Sequence, residues 1–327
     1  MADELVERLV AGIGALKVGD PLHARLPALG REVRIGEIPP ELAAIVKVLP
    51  SSMKFMNLSA RSGRAARLSI TMLSTASTAP SFGSDQPIAN EDETLWIVFN
   101  GEIFNYVELR PELEQRGHCF TTQSDTEVIL HLYEDHGTDC LRFLRGMFAF
   151  AIWDGPRRQL FLARDRLGKK PLSYQWDARA FRFASEVKAI LQDPEVETRP
   201  DPVMISQYLT YGYVPGSGSA FQGIHKLPPG HYLTCCDGQV KVVRYWRLRR
   251  DRKEQRSEAD WCQEIVARLE EATRLRMISD VPLGAFLSGG IDSSAIVALM
   301  SRIATGPVKT FSIGFEEPEY DELRYAR

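Results

Sequence analysis

The sequence predicts an α+β layered domain followed by the beginning of an α/β domain with a parallel sheet. Between about residues 64 and 190, short apolar runs alternate with amphipathic stretches and turn signals, which is typical of hairpins and helices packed in layers. After residue 280 the order becomes strand, helix and strand, at residues 281–287, 293–304 and 309–315. A helix that connects two strands in this way makes a βαβ unit, whose strands are parallel.

The elements of the first domain follow from local signals. One apolar run ends at Asn100-Gly101, a dipeptide that is frequent in turns. Two amphipathic stretches are each followed by a glycine, which is a common helix end. Two further apolar runs flank Asp-Gly-Pro and predict a hairpin. Strands are thus predicted at residues 95–99, 148–153 and 159–163, and helices at residues 107–116 and 126–136.

The length of the chain and its local changes in composition divide it into four parts. A chain of 327 residues is long enough to bury two cores. We predict an N-terminal segment without assigned chemistry at residues 1–60, a first domain at residues 61–195, a connector rich in proline, glycine and charge at residues 196–255, and a second domain at residues 256–327.

The composition excludes several function classes. A net charge of −3 argues against nucleic acid or an anionic membrane surface as the main partner. No apolar run approaches the roughly 20 residues that span a bilayer, and no secretory signal is visible. The five cysteines are scattered without a C-x-x-C pair, so neither a disulfide framework nor a zinc site is expected, and a cytoplasmic location is predicted. The six histidines are dispersed as well and are expected to be structural.

The strongest chemical signal is the string Ser-Gly-Gly-Ile-Asp-Ser-Ser at residues 288–294, between a predicted strand and a predicted helix. Two glycines let successive N–H groups point to one side, and the following helix offers free N–H groups, so the string favours binding of a phosphate. Asp292 would repel a phosphate unless a cation lay between them, and we interpret it as a Mg²⁺ ligand. The alternative is a tight turn with Ser293 as the helix N-cap, which accounts for one glycine and one serine but not for the whole string. The string is neither a Walker A loop nor a Rossmann fingerprint.

This string is similar to the pyrophosphate loop of the ATP-pyrophosphatase superfamily. With it, a series of ordered segments resembles the class II glutamine amidotransferase domain of asparagine synthetases: residues 99–106, 124–127, 146–154, 163–172 and 183–186. The resemblance covers about residues 64–327 and implies an amidotransferase sandwich of the N-terminal nucleophile (Ntn) type, followed by a partial nucleotide-binding domain. The ATP site that it implies comprises Leu287, Ser288, Gly289, Gly290, Asp292, Ser293 and, on the adenine side, Ile313.

The same resemblance implies a glutamine pocket. Arg67 would pair with the α-carboxylate through a bidentate fork, Asp125 would hold the α-ammonium, and Glu102 would help to fix that end. The side-chain N–H of Asn100 and the backbone N–H of Gly101 would form an oxyanion hole. The alternative for Arg67, Glu102 and Asp125 is that each is an ordinary surface charge.

The resemblance further implies a reaction, the ATP-dependent amidation of aspartate to asparagine. Glutamine would be the ammonia donor, and AMP and pyrophosphate would be products. The partners would be the small molecules glutamine, aspartate and ATP with Mg²⁺. The protein would be cytoplasmic, and a homodimer is one possible assembly.

Two features depart from the family pattern. The family nucleophile is a cysteine directly after the initiator methionine, whereas residue 2 is alanine here and the first cysteine is Cys119, which is expected to be a small buried residue. The second acidic loop of the synthetase domain, G-E-G-x-D-E, does not occur in the sequence. The chain by itself is therefore expected not to hydrolyse glutamine. Two alternatives stay open: an amide ligase with an inactive glutaminase, similar to β-lactam synthetases, and an inactive fragment that retains only ligand binding.

Overall fold

The computed structural model describes residues 86–177, 180–250, 253–279, 282–315 and 322–326, together with two strands at residues 54–60 and 66–72. The described residues form two compact units, one that ends at Arg247 and one that begins at Leu248. Most of the predicted N-terminal segment, residues 1–60, lies outside the described residues. Within the described residues, no helix is both long and apolar enough to cross a bilayer.

Two sheets form the first unit. One is mixed and contains β1 (Lys54–Ala60), β2 (Ala66–Met72), β7 (Ser173–Trp176), β8 (Ala180–Ala184) and β9 (Ile224–Lys226), in the order β1-β2-β8-β7-β9. The other is antiparallel and contains β3 (Ile88–Ala89), β4 (Leu95–Ile103), β5 (Gly146–Asp154), β6 (Gln159–Arg164), β10 (His231–Cys236) and β11 (Gln239–Arg244), in the order β11-β10-β6-β5-β4-β3.

Two helices, α1 (Tyr106–Gln115) and α2 (Asp125–His136), cover one face of the antiparallel sheet. The other described α-helices of the first unit are α3 (Val187–Ile190), which packs on the mixed sheet, and α4 (Pro202–Tyr211), and a 3₁₀ helix spans Gly137–Arg142. The start of α2 is fixed by Ser124, whose hydroxyl accepts a hydrogen bond from the N–H of Thr126 at 3.2 Å, and Gly137 ends it. A serine that accepts a backbone N–H commonly begins a helix, and a glycine commonly ends one. Both helices predicted in this region are confirmed to within about one residue.

The core lies on both sides of the antiparallel sheet. Phe148, Phe150 and Ile152 of β5 belong to a cluster that includes buried residues of α1 and α2. Ala149 and Ala151, which alternate with them, belong to a second cluster that includes Phe181 and Phe183 of β8, in the other sheet. Successive side chains of a strand point to opposite faces, so a strand between two layers must be apolar throughout. The predicted α+β sandwich is confirmed: α1 and α2 pack on the antiparallel sheet, this sheet packs on the mixed sheet, and α3 packs on the other face of the mixed sheet.

The predicted connector at residues 196–255 contains three of these strands. β9 pairs with β7, β10 pairs with β6, and β11 pairs with β10. Leu227 and Leu233 in this region are fully buried in the core between the sheets. Residues 224–244 are therefore part of the first unit and do not form a linker, because their apolar side chains complete its core.

The second unit contains the predicted strand–helix–strand unit. α5 (Glu258–Arg276) precedes β12 (Gly284–Phe286), and α6 (Ile291–Ile303) connects β12 to β13 (Lys309–Phe311); α7 (Leu323–Ala326) is the last described helix. β12 and β13 pair in parallel over three residues. The parallel arrangement is confirmed, but both strands are shorter than predicted because the paired register covers three residues of each.

The turn after β6 is organised by one buried carboxylate. Asp165 is 2% exposed, and each of its oxygens accepts two backbone N–H groups. Oδ1 accepts those of Leu167 and Lys169 at 3.0 Å, and Oδ2 accepts those of Phe148 and Lys170 at 3.2 and 3.0 Å. The carboxylate thus connects the turn to β5.

Replacing Asp165 by asparagine should destabilise the first unit. The amide NH₂ would face two backbone donors that then lose their acceptor, and each buried donor without a partner costs about 1–3 kcal/mol. We expect the free energy of unfolding to fall by about 2–4 kcal/mol in urea titrations. Asp139→Asn is the matched control, because Asp139 is exposed and pairs only with Arg142 among the described side chains; it should change the free energy by less than about 0.5 kcal/mol. Equal effects of the two changes would contradict the role of Asp165.

Candidate active site

The segment Asn100-Gly101-Glu102 lies inside a strand, not in a turn. β4 continues to Ile103, and the three residues pair with Ala149, Phe148 and Met147 of β5. The prediction of a strand that ends at Asn100-Gly101 was wrong, because pairing with β5 outweighs the turn preference of the dipeptide. The strand therefore holds the backbone of this segment in a fixed register.

Gly101 is required by the close approach of β5. A Cβ atom at this position would lie 2.2 Å from the carbonyl oxygen of Met147, far inside the contact distance of the two atoms. Any other residue would push the strands apart, so the glycine keeps the end of β4 tightly paired.

The side chain of Asn100 is oriented by a serine to which sequence reasoning gave no role. Its Nδ2 donates a hydrogen bond to Oγ of Ser185 at 3.1 Å. Ser185 is buried and follows directly on β8, so this bond joins the two sheets. The signal in the sequence was the segment at residues 183–186, which forms part of the family resemblance but does not reveal the contact.

Asp125 is brought to the end of the same strand. It is the first residue of α2, and its Oδ2 accepts the backbone N–H of Ile103 at 2.7 Å. Burial raises the pKa of Asp125 above its usual value, although the hydrogen bonds from Ile103 and Ser124 act in the opposite direction. Among the described side chains, none that is cationic pairs with this carboxylate. A half-buried carboxylate that has no cationic partner among the described side chains is well suited to receive a cationic group of a ligand.

The remaining two residues of the predicted pocket are placed differently. Glu102 is half-buried next to Gly101 on β4. The backbone of Arg67 lies in β2 opposite Ala180, at the first residue of β8. Ser185 follows the other end of β8, and five residues of extended strand separate it from Ala180 by about 16 Å. The backbone register thus does not bring Arg67 next to Asn100. The side chain of Arg67 lies outside the described residues, and its role stays a prediction.

Cys119, the first cysteine of the sequence, is exposed. The expectation of a small buried residue was wrong, because the segment between α1 and α2 runs along the surface at this point. Burial instead raises the pKa of the Cys140 and Cys235 thiols, which opposes formation of a nucleophilic thiolate.

In the second unit, the predicted phosphate string forms a compact loop between β12 and α6. The hydroxyl groups of Ser288 and Ser293 lie 3.1 Å apart, and the N–H of Gly290 donates to Oγ of Ser288 at 3.3 Å. Gly289 has a φ of +82°, and Gly290 is the N-cap of α6 without a side-chain cap. The first N–H groups of α6 and the serine hydroxyls are thus concentrated at one end of a 13-residue helix, where an anion is favoured.

The other predicted residues of this site lie at the same edge of the parallel strands. The N–H of Leu287 donates to the carbonyl oxygen of Phe311 at 2.8 Å, and the hydroxyl of Ser312 donates to the carbonyl oxygen of Leu287 at 2.7 Å. Ile313, which follows, is 67% exposed. Asp292 is exposed in the first turn of α6. N–H groups, hydroxyls and one accessible carboxylate fit a phosphate with Mg²⁺, since Mg²⁺ takes one or two carboxylates and completes its shell with phosphate and water.

Two protein-family models match the chain, one in each of the two units. Residues 63–246 match the family model of the glutamine amidotransferase domain. The chain belongs to the glutamine amidotransferase family. Residues 264–327 match the asparagine synthase family. The glutamine amidotransferase match thus precedes the asparagine synthase match along the chain, and the chain is similar to asparagine synthetases over part of their length.

Two relatives from Bacillus subtilis (strain 168) illustrate the similarity of this chain to known proteins. Asparagine synthetase [glutamine-hydrolyzing] 3 is 41% identical over 243 residues, which cover 72% of this chain and 39% of the relative. Asparagine synthetase [glutamine-hydrolyzing] 1 is 39% identical over 246 residues, which cover 74% and 38%. The chain thus spans about two fifths of the length of these relatives. Glutamine phosphoribosylpyrophosphate amidotransferase from B. subtilis, solved with ADP and GMP, is 21% identical with a TM-score of 0.37, covering 73% of this chain and 51% of that chain; so distant an overlap carries no argument.

The raised pKa of Asp125 predicts how the stability of this amidotransferase domain depends on pH. An acid whose pKa is higher in the folded state contributes stability below its unfolded pKa, and this contribution is lost as the pH rises through the folded pKa. Asp125→Asn keeps an acceptor for the N–H of Ile103 and removes the buried charge. The variant should therefore gain stability relative to the wild type as the pH rises from about 4 to 7, measured by urea titration at each pH. A difference between the two proteins that does not change with pH would contradict this account.

Proposed function

We propose that the chain binds glutamine through its first domain and ATP with Mg²⁺ through its second, as parts of a glutamine-dependent amide ligase. The observation that carries the proposal is the meeting of two separate segments at the end of β4. The hydrogen bond from Ile103 to Asp125 joins the strand that bears Asn100 and Gly101 to the start of α2. Family membership and the order of the two family matches also support glutamine binding by the first domain and ATP binding by the second.

In the proposed pocket, each group has a distinct task. Asp125 attracts the α-ammonium of glutamine, because a cation would neutralise its buried charge. The Asn100 amide and the Gly101 N–H bind the side-chain carbonyl oxygen of glutamine. They would stabilise the oxyanion if a nucleophile from outside the described residues added to that carbonyl, and donors of this kind contribute about 3 kcal/mol each. Ser185 orients Asn100 through the hydrogen bond at 3.1 Å. Arg67 pairs with the α-carboxylate and Glu102 supports the ammonium end.

In the second domain, the proposed chemistry is activation of a carboxylate by ATP. The N–H groups and hydroxyls of residues 288–293 bind the pyrophosphate portion, and Ile313 contacts the adenine. Mg²⁺ bound by Asp292 would neutralise phosphate charge. The acceptor that we propose is the aspartate β-carboxylate: its adenylation releases pyrophosphate, and ammonia from glutamine then displaces AMP to give asparagine. The names of the relatives support this acceptor.

The glutamine pocket is tested by ligand-observed and protein-observed NMR with L-glutamine and D-glutamine. We expect saturable shifts with the L enantiomer and not with the D enantiomer, because recognition of both α-groups depends on handedness. Asp125→Asn should weaken binding by about tenfold or more, since a hydrogen bond to a charged group is worth about 1.5–3 kcal/mol. Asp139→Asn is the control and should bind as the wild type does. Identical shifts with both enantiomers would sink the proposal and favour a ligase with an inactive glutaminase.

The nucleotide site is tested by calorimetric titration of the full chain with ATP and Mg²⁺. Asp292→Asn should weaken binding of Mg²⁺–ATP by about tenfold and leave the weaker binding of ATP in EDTA unchanged, because the lost group acts through the cation. Glu258→Gln, at the exposed start of α5, is the control. If Asp292→Asn and the wild type give the same isotherm with Mg²⁺, Asp292 is not a ligand.

A further inference from the structure

A second cluster of chemically active side chains contains none of the residues of the proposed glutamine pocket. Glu91 belongs to the turn between β3 and β4, His118 to the segment between α1 and α2, and His131 and Glu134 to successive turns of α2. Metal-ligating atoms of Glu91, His118 and His131 all lie within 4.8 Å of one another. Three separate segments of the chain thus bring two imidazoles and two carboxylates together.

The Nδ1 atoms of His118 and His131 both face Oε2 of Glu134. Oε2 of Glu134 lies 2.7 Å from Nδ1 of His131 and 3.3 Å from Nδ1 of His118. Oε2 of Glu91 lies 3.6 Å from Nδ1 of His131. Ligand atoms around a tetrahedral Zn²⁺ at 2.0–2.2 Å are separated by about 3.4 Å, so small side-chain shifts would bring these atoms to bonding distance.

The outer nitrogen of each imidazole faces a further carboxylate. Nε2 of His118 lies 3.1 Å from Oδ1 of Asp135, and Nε2 of His131 lies 3.8 Å from Oε1 of Glu127. His131 is fully buried, and among the residues that the structure describes its Nε2 has no hydrogen-bond partner. Histidines that bind a metal usually donate the other ring N–H to a carboxylate, which fixes the tautomer and the ring orientation. With Nε2 protonated in both rings, both Nδ1 lone pairs point to the centre of the cluster.

The carboxylates of the cluster are held in the same manner. Oε1 of Glu91 accepts the backbone N–H of Cys119 at 3.3 Å, and Oε1 of Glu134 accepts Nδ2 of Asn90 at 2.7 Å. In each case the other oxygen is left to face the imidazoles. The Glu127 carboxylate, behind His131, is fixed by the N–H and hydroxyl groups of Thr121 and Thr122, at 2.6–3.0 Å.

We propose that Glu91, His118, His131 and Glu134 form a binding site for a divalent transition-metal ion of the Zn²⁺ class. Two imidazoles and one or two carboxylates are a donor set that suits Zn²⁺ and Co²⁺ and not Mg²⁺ or Ca²⁺, which prefer oxygen ligands alone. The metal would join the turn after β3 and the segment before α2 to the middle of α2. Its role is structural, because all of its ligands come from the protein. The competing occupant is a proton, with His131 as an imidazolium ion shared by the surrounding carboxylates.

The test is calorimetric titration of the EDTA-treated full chain with Zn²⁺, together with Co²⁺ as an optical probe of tetrahedral coordination. We expect one equivalent to bind the wild type and to raise its melting temperature, with Co²⁺ giving visible d–d bands. His118→Gln and Glu91→Gln should each lower the affinity for Zn²⁺ by about tenfold to 100-fold or more. Both residues are partly exposed, so these variants should fold, which circular dichroism checks; the buried His131 is left intact.

Two control variants separate this site from other binding. His136→Gln removes an imidazole at the end of the same helix, where it stacks on Phe143, and should leave the affinity unchanged. Cys119→Ser should also leave it unchanged, because Cys119 contributes its backbone N–H. The proposal is overturned if the wild type shows no saturable binding, if His118→Gln binds as tightly as His136→Gln, or if Cys119→Ser alone abolishes binding.

Discussion

The first domain depends on the pairing of β4 with β5. Nine residue pairs join the strands, from Leu95 opposite Asp154 to Ile103 opposite Gly146. At Gly101 and Gly146 the backbones approach so closely that a Cβ on either glycine would lie 2.2 Å from a carbonyl oxygen of the other strand. Because side chains alternate along a strand, a slip of one residue would exchange the faces of Phe148 and Ala149 and disrupt both cores. The same ladder fixes the proposed oxyanion donors.

The layered architecture could be predicted because its signals are local and repeated. The helices at residues 107–116 and 126–136 have an amphipathic pattern with a glycine at the end, and both occur within about one residue of their predicted positions. The βαβ order of the second domain is equally visible in the sequence. The string at residues 288–294 lies between a strand and a helix as predicted, since Gly289 and Gly290 occur where the backbone must turn; its binding of phosphate stays a prediction.

Features that depend on long-range contacts could not be predicted in the same way. Asn100-Gly101 has the local preference of a turn, but its partners on β5, Ala149 and Phe148, are 49 and 47 residues away and determine the outcome. The contact of Asn100 with Ser185 spans 85 residues. Likewise, nothing local distinguishes Asp125 from Glu127. Burial raises the pKa of both, but hydrogen bonds from His131, Thr121 and Thr122 outweigh it at Glu127 and lower that pKa to about 2. The Glu127 carboxylate thus accepts four hydrogen bonds from Thr121 and Thr122, whereas Asp125 accepts the backbone N–H of Ile103 and is the residue that we propose as a ligand contact.

The hairpin of β10 and β11 determines where the first domain can be cut. A shortened version that stopped at residue 195 would lose β10, which covers the side of β6 along five residue pairs, from Tyr232 opposite Ala163 to Cys236 opposite Gln159. The exposed strand would carry Leu160, Phe161 and Leu162, all fully buried in the intact fold. An apolar strand with a free edge pairs readily with other chains. A recombinant fragment made at that boundary would therefore tend to form aggregates, whereas one that continues to Arg247 keeps its edge covered.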